Sequence, residues 1–325
     1  MKVRFWGTRG SLPVSLGGAA LRAKLVRSLL AADGRRFADA ADAEAWLATQ
    51  PFGLTQTYGG NSSCVEIERR APDPAGGNDY LLCDMGSGLR PFGNAVMARH
   101  GPQRPNHFHI FLSHLHWDHI MGLPFFTPAY IAGNRLSIYS AHAEAEQALR
   151  LQQSPPCFPV PFEALGARIE FIQLEPGRTV TAAGCQVSAK RQLHGGDSYG
   201  YRFEAEGRSL VYSTDSEHRL EQAGEAEDFA AFFRAADLVV FDAMYSLADA
   251  VSVKQDWGHS SNVVGVELCR LAGARRLALF HHEPIFSDER IAEVEADARR
   301  LERITREDGP ALEVFAAYDG LEVEL

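Results

Sequence analysis

The stretch from Phe108 to Gly122, FHIFLSHLHWDHIMG, decides how the rest of the chain is interpreted. It begins with apolar residues typical of a buried strand, and four side chains that bind metals in many proteins follow within a few positions. These four are His114, His116, Asp118 and His119. Imidazoles and carboxylates suit zinc and similar divalent ions, so the pattern predicts a strand running into a loop on which the four side chains converge.

A single histidine after a strand is more often a hydrogen-bonded surface or core residue than a metal ligand. The cluster favours a different interpretation, because several unpaired polar groups beside an apolar strand would destabilise the fold. A metal centre gives all four a partner at once.

The motif HLHWDH, His114 to His119, resembles the signature of the metallo-β-lactamase fold superfamily, and the resemblance extends over almost the whole chain. It implies an α/β protein: an αββα four-layer sandwich of two mixed β-sheets flanked by helices. It also implies that His114 and His116 hold one metal ion, while Asp118 and His119 hold a second.

Three residues that follow later predicted strands match the remaining ligands of the family. His194 in QLHGGDSYGYRF matches the third histidine of the first metal, Asp215 in VYSTDS the carboxylate that bridges both metals, and His281 in HHEP the last ligand. Successive strand residues point to opposite faces, so His281 and its neighbour His282 cannot easily both ligate. We expect His281 to be the ligand and His282 to support the ligands. The resemblance implies two divalent ions, Zn²⁺ above all, with Mn²⁺ or Fe²⁺ as alternatives.

Two further carboxylates and one histidine are predicted to act beside these ligands. Asp84 lies in DMGSGLR, a glycine-rich turn that lacks the residues of a P-loop, and the resemblance implies a brace for the metal loop rather than a ligand. His259 lies in DWGHSSN, and in resembling phosphodiesterases, including the ribonuclease Z and cyclic-phosphodiesterase groups, such a histidine faces the scissile phosphate. Asp242 in FDAMY would orient it. The alternative is a helix cap formed by Ser260 and Ser261 with a solvent-facing His259.

Composition limits the classes of function. The chain has 325 residues, of which 46% are hydrophobic and 23% charged, as in ordinary globular proteins. Its apolar runs are too short to span a membrane, and its start, MKVRFWGTRG, has no signal-peptide core, so we expect a cytoplasmic protein without a membrane partner. A net charge of −10 disfavours a broad surface for structured nucleic acid but allows one small phosphorylated substrate.

The chain is predicted to form a single domain, residues 1–325, with a helical insertion at about 14–56. Leu21, Leu25 and Leu29 recur every fourth residue there, which indicates an amphipathic helix. The insertion could be a lid over the site, a homodimer contact or a surface appendage, and its sequence leaves these open. The proline-rich stretch SPPCFPVPFEAL, which begins at Ser154, is either a pocket wall or ordinary packing.

These observations favour a dinuclear-metal hydrolase. We expect a phosphodiesterase that acts on a small or cyclic phosphodiester through a metal-bridging hydroxide, with Asp118 and His259 as catalytic residues. The alternatives are an ester, thioester or lactone hydrolase and a non-catalytic di-iron sensor. Aspartate at the bridging position disfavours a true β-lactamase, and His116, where the di-iron relatives have glutamate, favours zinc. The acidic chain also shows no long arm for holding tRNA.

Overall fold

The computed structural model describes residues 1–70, 78–218, 224–245, 258–306 and 309–325. Its core is a pair of seven-stranded sheets. The first sheet has the order β14-β1-β2-β3-β4-β5-β6, and the second has the order β13-β12-β11-β10-β9-β8-β7. The strands of the first sheet are β1 (Lys2–Gly7), β2 (Cys64–Glu68), β3 (Asp79–Cys83), β4 (His107–Leu112), β5 (Arg135–Ser140), β6 (Arg168–Gln173) and β14 (Glu322–Glu324). Those of the second are β7 (Thr179–Ala182), β8 (Cys185–Gln192), β9 (Ser198–Ala205), β10 (Arg208–Ser213), β11 (Leu238–Asp242), β12 (Arg276–Phe280) and β13 (Glu313–Ala316).

Helices cover the outer faces of the two sheets. In the described part of the chain they are α1 (Gly18–Ala31), α2 (Ala40–Leu47), α3 (Phe52–Thr55), α4 (Leu89–His100), α5 (Trp117–Ile120), α6 (Ala145–Gln152), α7 (Glu225–Phe233), α8 (Asn262–Ala272) and α9 (Asp288–Thr305). Short 3₁₀ turns lie at Leu123–Phe125, Thr127–Tyr130 and Phe162–Ala164. The predicted four-layer sandwich is confirmed.

Alternation along the strands sorts side chains between three apolar layers. In β4, Phe111 faces the core between the sheets, where it stacks on Tyr139 with ring centroids 4.3 Å apart. Phe108 and Ile110 face the opposite way, toward Phe92 of α4. A strand buried on both faces reads as a continuous apolar run, which is why the sequence marks β4 clearly.

Parallel pairing determines where the functional loops meet. Strands β3 to β6 are parallel to one another in the first sheet, and β10 to β13 are parallel in the second. The carboxyl ends of parallel strands share one edge of a sheet, and ligands of α/β proteins bind at such edges. The loops after β3, β4, β10, β11 and β12 all begin at such a carboxyl-end edge.

The insertion is helical, as predicted, but its apolar face is not buried. Leu21, Leu25 and Leu29 are exposed, and the buried residue of α1 is Lys24. The Lys24 ammonium lies 2.5 Å from the carboxylate of Asp288, which begins α9. A buried ion pair therefore anchors α1, and periodicity alone indicated the wrong face. Whether the insertion is a lid, a dimer contact or an appendage stays a prediction. Among the described residues, the helices are all too short or too polar to span a membrane.

One buried histidine makes the stability of the second sheet sensitive to pH. The imidazole of His218 packs between Phe229 and Phe241, with ring centroids 4.3 and 5.3 Å away, and its nitrogens have no hydrogen-bond partner among the described residues. Burial lowers the pKa of His218 from 6.5 to about 3. Below pH 6.5 the unfolded chain therefore binds a proton that the folded protein does not. The neutral imidazole of His218 therefore makes its full contribution to the free energy of unfolding above pH 6.5, and this contribution is lost progressively as the pH falls toward 3.

We expect His218→Phe to remove this part of the pH dependence. Relative to wild type, the variant should gain about 2 kcal/mol on moving from pH 7.5 to pH 5. Urea unfolding of both proteins at the two pH values measures the difference. If the difference in stability between variant and wild type were equal at both pH values, buried His218 would not be the cause of this pH dependence.

Candidate metal centre

The seven predicted ligands, which are spread over 168 positions of the chain between His114 and His281, converge in two groups. One group contains His114, His116 and His194; the other contains Asp118, His119, Asp215 and His281. Within each group the ligand atoms lie within 4.8 Å of one another. The structure thus brings together every residue that was assigned as a ligand, and their role as ligands remains a prediction.

The first group is oriented by hydrogen bonds on the far side of its rings. The Oγ of Ser113 lies 3.1 Å from Nδ1 of His114, and Nδ1 of His194 donates to the carbonyl oxygen of Gly258 at 2.7 Å. The Nε2 atoms of His114 and His194 each lie 3.6 Å from Oδ2 of Asp215. Burial lowers the pKa of His114, which favours the neutral imidazole that a metal ligand requires.

The second group is more tightly packed and fully buried. Nε2 of His119 lies 3.1 Å from Oδ2 of Asp118 and 3.2 Å from both Oδ1 of Asp215 and Nε2 of His281. Nε2 of His281 lies 3.2 Å from Asp118 Oδ2 and from Asp215 Oδ1. Burial opposes charge on Asp118, but the neighbouring His119 and His281 together outweigh it and hold the pKa of that carboxyl well below its usual range. Asp215 contacts both groups, as a bridging carboxylate would.

Asp84 lies behind the second group, where the sequence predicts a brace for the ligands. Its fully buried carboxylate accepts hydrogen bonds from Nδ1 of His119 at 2.7 Å, from the Tyr212 hydroxyl at 2.7 Å, and from the backbone and side chain of Ser113 at 2.7 and 2.8 Å. Because Nδ1 of His119 is held in this way, its Nε2 faces the second group. This is the carboxylate–histidine arrangement that orients metal ligands in many proteins.

Three site residues have left-handed backbone conformations: Asp84 at φ 61°, Asp215 at φ 49° and His281 at φ 60°. Each follows the carboxyl end of a strand, β3, β10 or β12. Non-glycine residues adopt this conformation rarely, and such strain is concentrated at functional sites. The turn directs each side chain out of its strand and into the centre.

His259 lies beside both groups without belonging to the seven ligands. Its Nδ1 is 2.9 Å from Oδ2 of Asp242 and 3.9 Å from Oδ2 of Asp215, and its ring stacks over His281 at 5.1 Å. Burial lowers its pKa, but the carboxylates of Asp242, Asp215 and Asp118 together outweigh burial and raise the pKa of His259 to about 9. The alternative cap is also present, since the Ser261 hydroxyl accepts from the amide of Val264 at the start of α8. The segment therefore both caps the helix and places the imidazole at the site.

His281 and His282 point in different directions. His281 enters the second group, whereas Nε2 of His282 donates to the carbonyl oxygen of Ala317 at 2.8 Å. The supporting role predicted for the His282 side chain takes another form, because among the described residues that side chain bonds to the strand connection after β13 and not to a ligand. Its backbone accepts from Gly10, whose α-carbon lies so close to the His281 ring that a β-carbon there would be 2.5 Å from it.

The HLHWDH motif is not a loop throughout, which corrects the sequence prediction. His114 and His116 lie on a loop, but Asp118 and His119 lie in the one-turn helix α5. The turn separates the two pairs, so the first pair joins His194 and the second joins His281. The four ligand candidates can still converge, because a helix of one turn is too short to spread its side chains far apart.

Sequence reasoning missed three residues that position the ligands. Ser113 contacts Asp84, His114 and His119, Tyr212 bonds to Asp84, and the amide of Ser11 donates to Oδ2 of Asp118 at 2.8 Å. Ser113 directly precedes the motif, and that adjacency was the one available signal. The other two come from distant strands and turns, whose proximity depends on the fold.

The donor set fits divalent cations. The buried Nε2 of His114 has no hydrogen-bond partner among the described residues, although three other ligand side chains surround it. In the second group the Nε2 atoms of His119 and His281 lie 3.2 Å from each other and 3.1–3.2 Å from the nearest carboxylate oxygens of Asp118 and Asp215. These distances are close to the spacing between ligands of a tetrahedral ion with bonds of about 2.0–2.1 Å. A cation would give these lone pairs a common partner.

We expect Asp84→Asn to reduce zinc affinity by about 10–100-fold, because the amide cannot accept from all of its present donors and would release His119. Competition with a chromogenic chelator measures the affinity. Tyr212→Phe is the matched control: it removes one donor and keeps the bond between Asp84 and His119, so its effect should be smaller. Equal zinc affinity in Asp84→Asn and wild type would contradict the brace.

Comparisons with known proteins agree with this architecture. A family model described as a beta-lactamase superfamily domain matches residues 80–282. Ribonuclease Z from Halorubrum lacusprofundi is 26% identical over 323 aligned positions, which cover 80% of this chain and 94% of that protein. The metallo-beta-lactamase fold protein YhfI from Bacillus subtilis superposes over 100% of this chain and 98% of its own, with a TM-score of 0.63 and 18% identity. Human tRNase Z, short form, covers 100% of this chain and 99% of its own, with a TM-score of 0.53 and 18% identity.

The family model spans more than half of the chain and includes the HLHWDH motif and the strand ends that carry the other predicted ligands. The sheets match those of the solved structures with this fold. The prediction of a metal-dependent hydrolase is confirmed at the level of the family. The chain belongs to the beta-lactamase superfamily.

Proposed function

We propose that this protein is a dinuclear-metal phosphodiesterase that hydrolyses a small or cyclic phosphodiester. The observation that carries the proposal is the pair of His259 and Asp242, joined at 2.9 Å beside both ligand groups. The seven ligands do not require this imidazole. A phosphodiester, unlike a neutral ester, carries a negative charge that a cationic imidazole can neutralise.

The two groups of ligands supply the places for two ions. His114, His116 and His194 would hold one, Asp118, His119 and His281 would hold the other, and Asp215 would serve both. Divalent ions at such a site make water nucleophilic at neutral pH and stabilise charge on the attacking and leaving oxygens. The mixture of nitrogen and carboxylate donors suits Zn²⁺, while Mn²⁺ and Fe²⁺ accept the same donors.

Asp118 would orient the attacking water as well as help to hold the second ion. The Ser11 amide holds Oδ2 of Asp118 at 2.8 Å, so the carboxylate is fixed before substrate arrives. Fixed polar groups of this kind need no reorganisation during the reaction.

His259 would act on the other side of the scissile bond. Asp242 occupies its Nδ1, so Nε2 is the ring nitrogen that would donate to the substrate. A protonated imidazole there neutralises a non-bridging phosphate oxygen and then donates its proton to the leaving oxygen. Asp242 is in turn held by the amides of Ser216 and Met244, which fixes the orientation of the ring.

Exposed aromatic side chains within and shortly after the HLHWDH motif favour a small substrate with a planar group. Trp117 follows the ligand candidate His116 directly and is 77% exposed, and Phe125 is 56% exposed and packs edge-on against Phe158 of the proline-rich stretch. Exposed aromatic rings stack on nucleic-acid bases without regard to their sequence. The net charge of −10 disfavours a long polyanion, so a nucleotide-sized phosphodiester fits these features better than a folded RNA.

Hydrolysis of bis(p-nitrophenyl) phosphate tests the proposal. Protein stripped with a chelator and reloaded separately with zinc, manganese or iron should turn over this substrate with at least one metal. p-Nitrophenyl acetate tests the ester alternative, and a precursor tRNA tests for a folded substrate. Turnover of the acetate alone would overturn the proposal in favour of an ester hydrolase. Absence of any turnover by protein that holds two ions per chain would overturn it in favour of a sensor.

A further inference from the structure

A second group of metal-binding side chains lies outside the centre described above. Asp79 begins β3, and His107 and His109 lie on β4, which is the neighbouring parallel strand. Asp79 and His107 are register partners, and His107 and His109 are two residues apart. All three side chains therefore share one face of the sheet. We call them the β3–β4 cluster.

The β3–β4 cluster is remote from the centre. His109 precedes His114 by five positions, which corresponds to about 16 Å of extended strand. The cluster lies at the amino ends of these strands, whereas the seven predicted ligands lie at the carboxyl ends. An ion here could not be one of the two ions of the hydrolytic centre.

Each imidazole of the cluster is held by a hydroxyl of β5. Nε2 of His107 lies 2.8 Å from Oγ of Ser137, and Nδ1 of His109 lies 3.1 Å from the hydroxyl of Tyr139. When these nitrogens carry the proton and donate it to the hydroxyls, the opposite nitrogens present lone pairs. A hydrogen bond on the far nitrogen is the usual way in which proteins orient a metal-binding histidine.

The opposite nitrogens converge on one carboxylate oxygen. Oδ1 of Asp79 lies 3.6 Å from Nδ1 of His107 and 3.9 Å from Nε2 of His109. These distances exceed a good hydrogen bond. They are close to the spacing of about 3.3–3.5 Å between ligands of a tetrahedral ion with bonds of about 2.0–2.1 Å. The three ligand atoms all lie within 4.8 Å of one another, and a shift of about a few tenths of an ångström would bring both nitrogen–oxygen distances to this spacing.

The surroundings allow a cation to enter and remain. The side chains of His107 and Asp79 are about one-fifth exposed and that of His109 is mostly buried, so the cluster is open to solvent on one side. Arg135 on β5 is the register partner of His107, and its charge is offset by an ion pair with Glu170 at 3.1 Å. Water could fill the remaining coordination position, as in three-ligand zinc sites.

We propose that the β3–β4 cluster binds one divalent transition-metal ion of the zinc type through Asp79, His107 and His109. The ion links β3 to β4 at the end of the sheet opposite the hydrolytic centre. It acts as a structural clip between strands and does not take part in hydrolysis.

Zinc stoichiometry tests the proposal. Chelator-stripped protein is dialysed against micromolar zinc, and zinc per chain is measured by atomic emission. His107→Gln changes a partly exposed residue and should lose one zinc per chain while it keeps wild-type turnover of bis(p-nitrophenyl) phosphate. Asp79→Asn, which preserves shape, should lose the same ion. His100→Gln, on the outer helix α4, is the matched control and should bind as much zinc as wild type.

A thermal readout separates this ion from the hydrolytic centre. Zinc should raise the unfolding temperature of Asp215→Asn, whose hydrolytic centre is damaged, and it should raise it less in Asp215→Asn combined with His107→Gln. Wild-type zinc content in both His107→Gln and Asp79→Asn would overturn the proposal. Loss of zinc together with loss of turnover in both would also overturn it, since the ion would then belong to the hydrolytic centre.

Discussion

His259→Ala is expected to lower kcat for bis(p-nitrophenyl) phosphate by about 10²-fold or more, because the charge that develops on the phosphate oxygens loses its cationic partner. The metal content should stay at the wild-type level, since the side chain is not among the seven ligands. Any hydrolysis of p-nitrophenyl acetate should change little, because p-nitrophenolate leaves without protonation and the ester carries no charge to neutralise. Steady-state kinetics with both substrates, together with zinc analysis, measure the effect.

The pairing of His259 with Asp242 supplies a second variant for the same prediction. Asp242→Asn keeps the shape of the side chain but removes the charge that stabilises the imidazolium, so the alkaline limb of the pH–rate profile, where His259 loses its proton, should move to lower pH. His100→Ala, on the outer face of α4, should leave both substrates unaffected. Wild-type turnover of the phosphodiester by His259→Ala would contradict the proposed role.

Asp215→Asn is expected to lower turnover by roughly 10³-fold or more, because the attacking water would no longer be activated at neutral pH. Asp215 is the one residue of the set whose two oxygens face both groups: Oδ1 lies 3.2 Å from His119 and His281, and Oδ2 lies 3.6 Å from His114 and His194. An amide presents only one acceptor oxygen, so both groups lose affinity. Zinc analysis and turnover should fall together.

Asp228→Asn is the matched control for this change. Asp228 lies on α7, is largely exposed and pairs with Lys190 at the surface, so its loss should alter neither zinc content nor turnover. A surface ion pair of this kind contributes little to stability. Wild-type zinc content and turnover in Asp215→Asn would show that the carboxylate does not bridge two ions.

The sequence by itself determined the class of fold and the identity of the residues that meet in the centre. Strands buried on both faces, such as β4, leave continuous apolar runs, and polar residues directly after them are visible without a structure. The motif from His114 to His119 is dense enough to be recognised locally, and the single residues His194, Asp215 and His281 each follow such a run. Local chemistry and strand position marked these residues as candidates, and the resemblance to the metallo-β-lactamase fold superfamily implied their roles as ligands.

Only the tertiary structure decided how those residues are oriented. The left-handed turns at Asp84, Asp215 and His281, the contacts of Ser11 and Tyr212, and the direction of His282 all depend on the packing of segments that are far apart in sequence. The exposed leucines of α1 and its buried Lys24 were likewise invisible to periodicity, because the partner that buries Lys24 is Asp288, 264 positions later. Periodicity reports which side of a helix is apolar, but the buried side depends on which distant residues it meets.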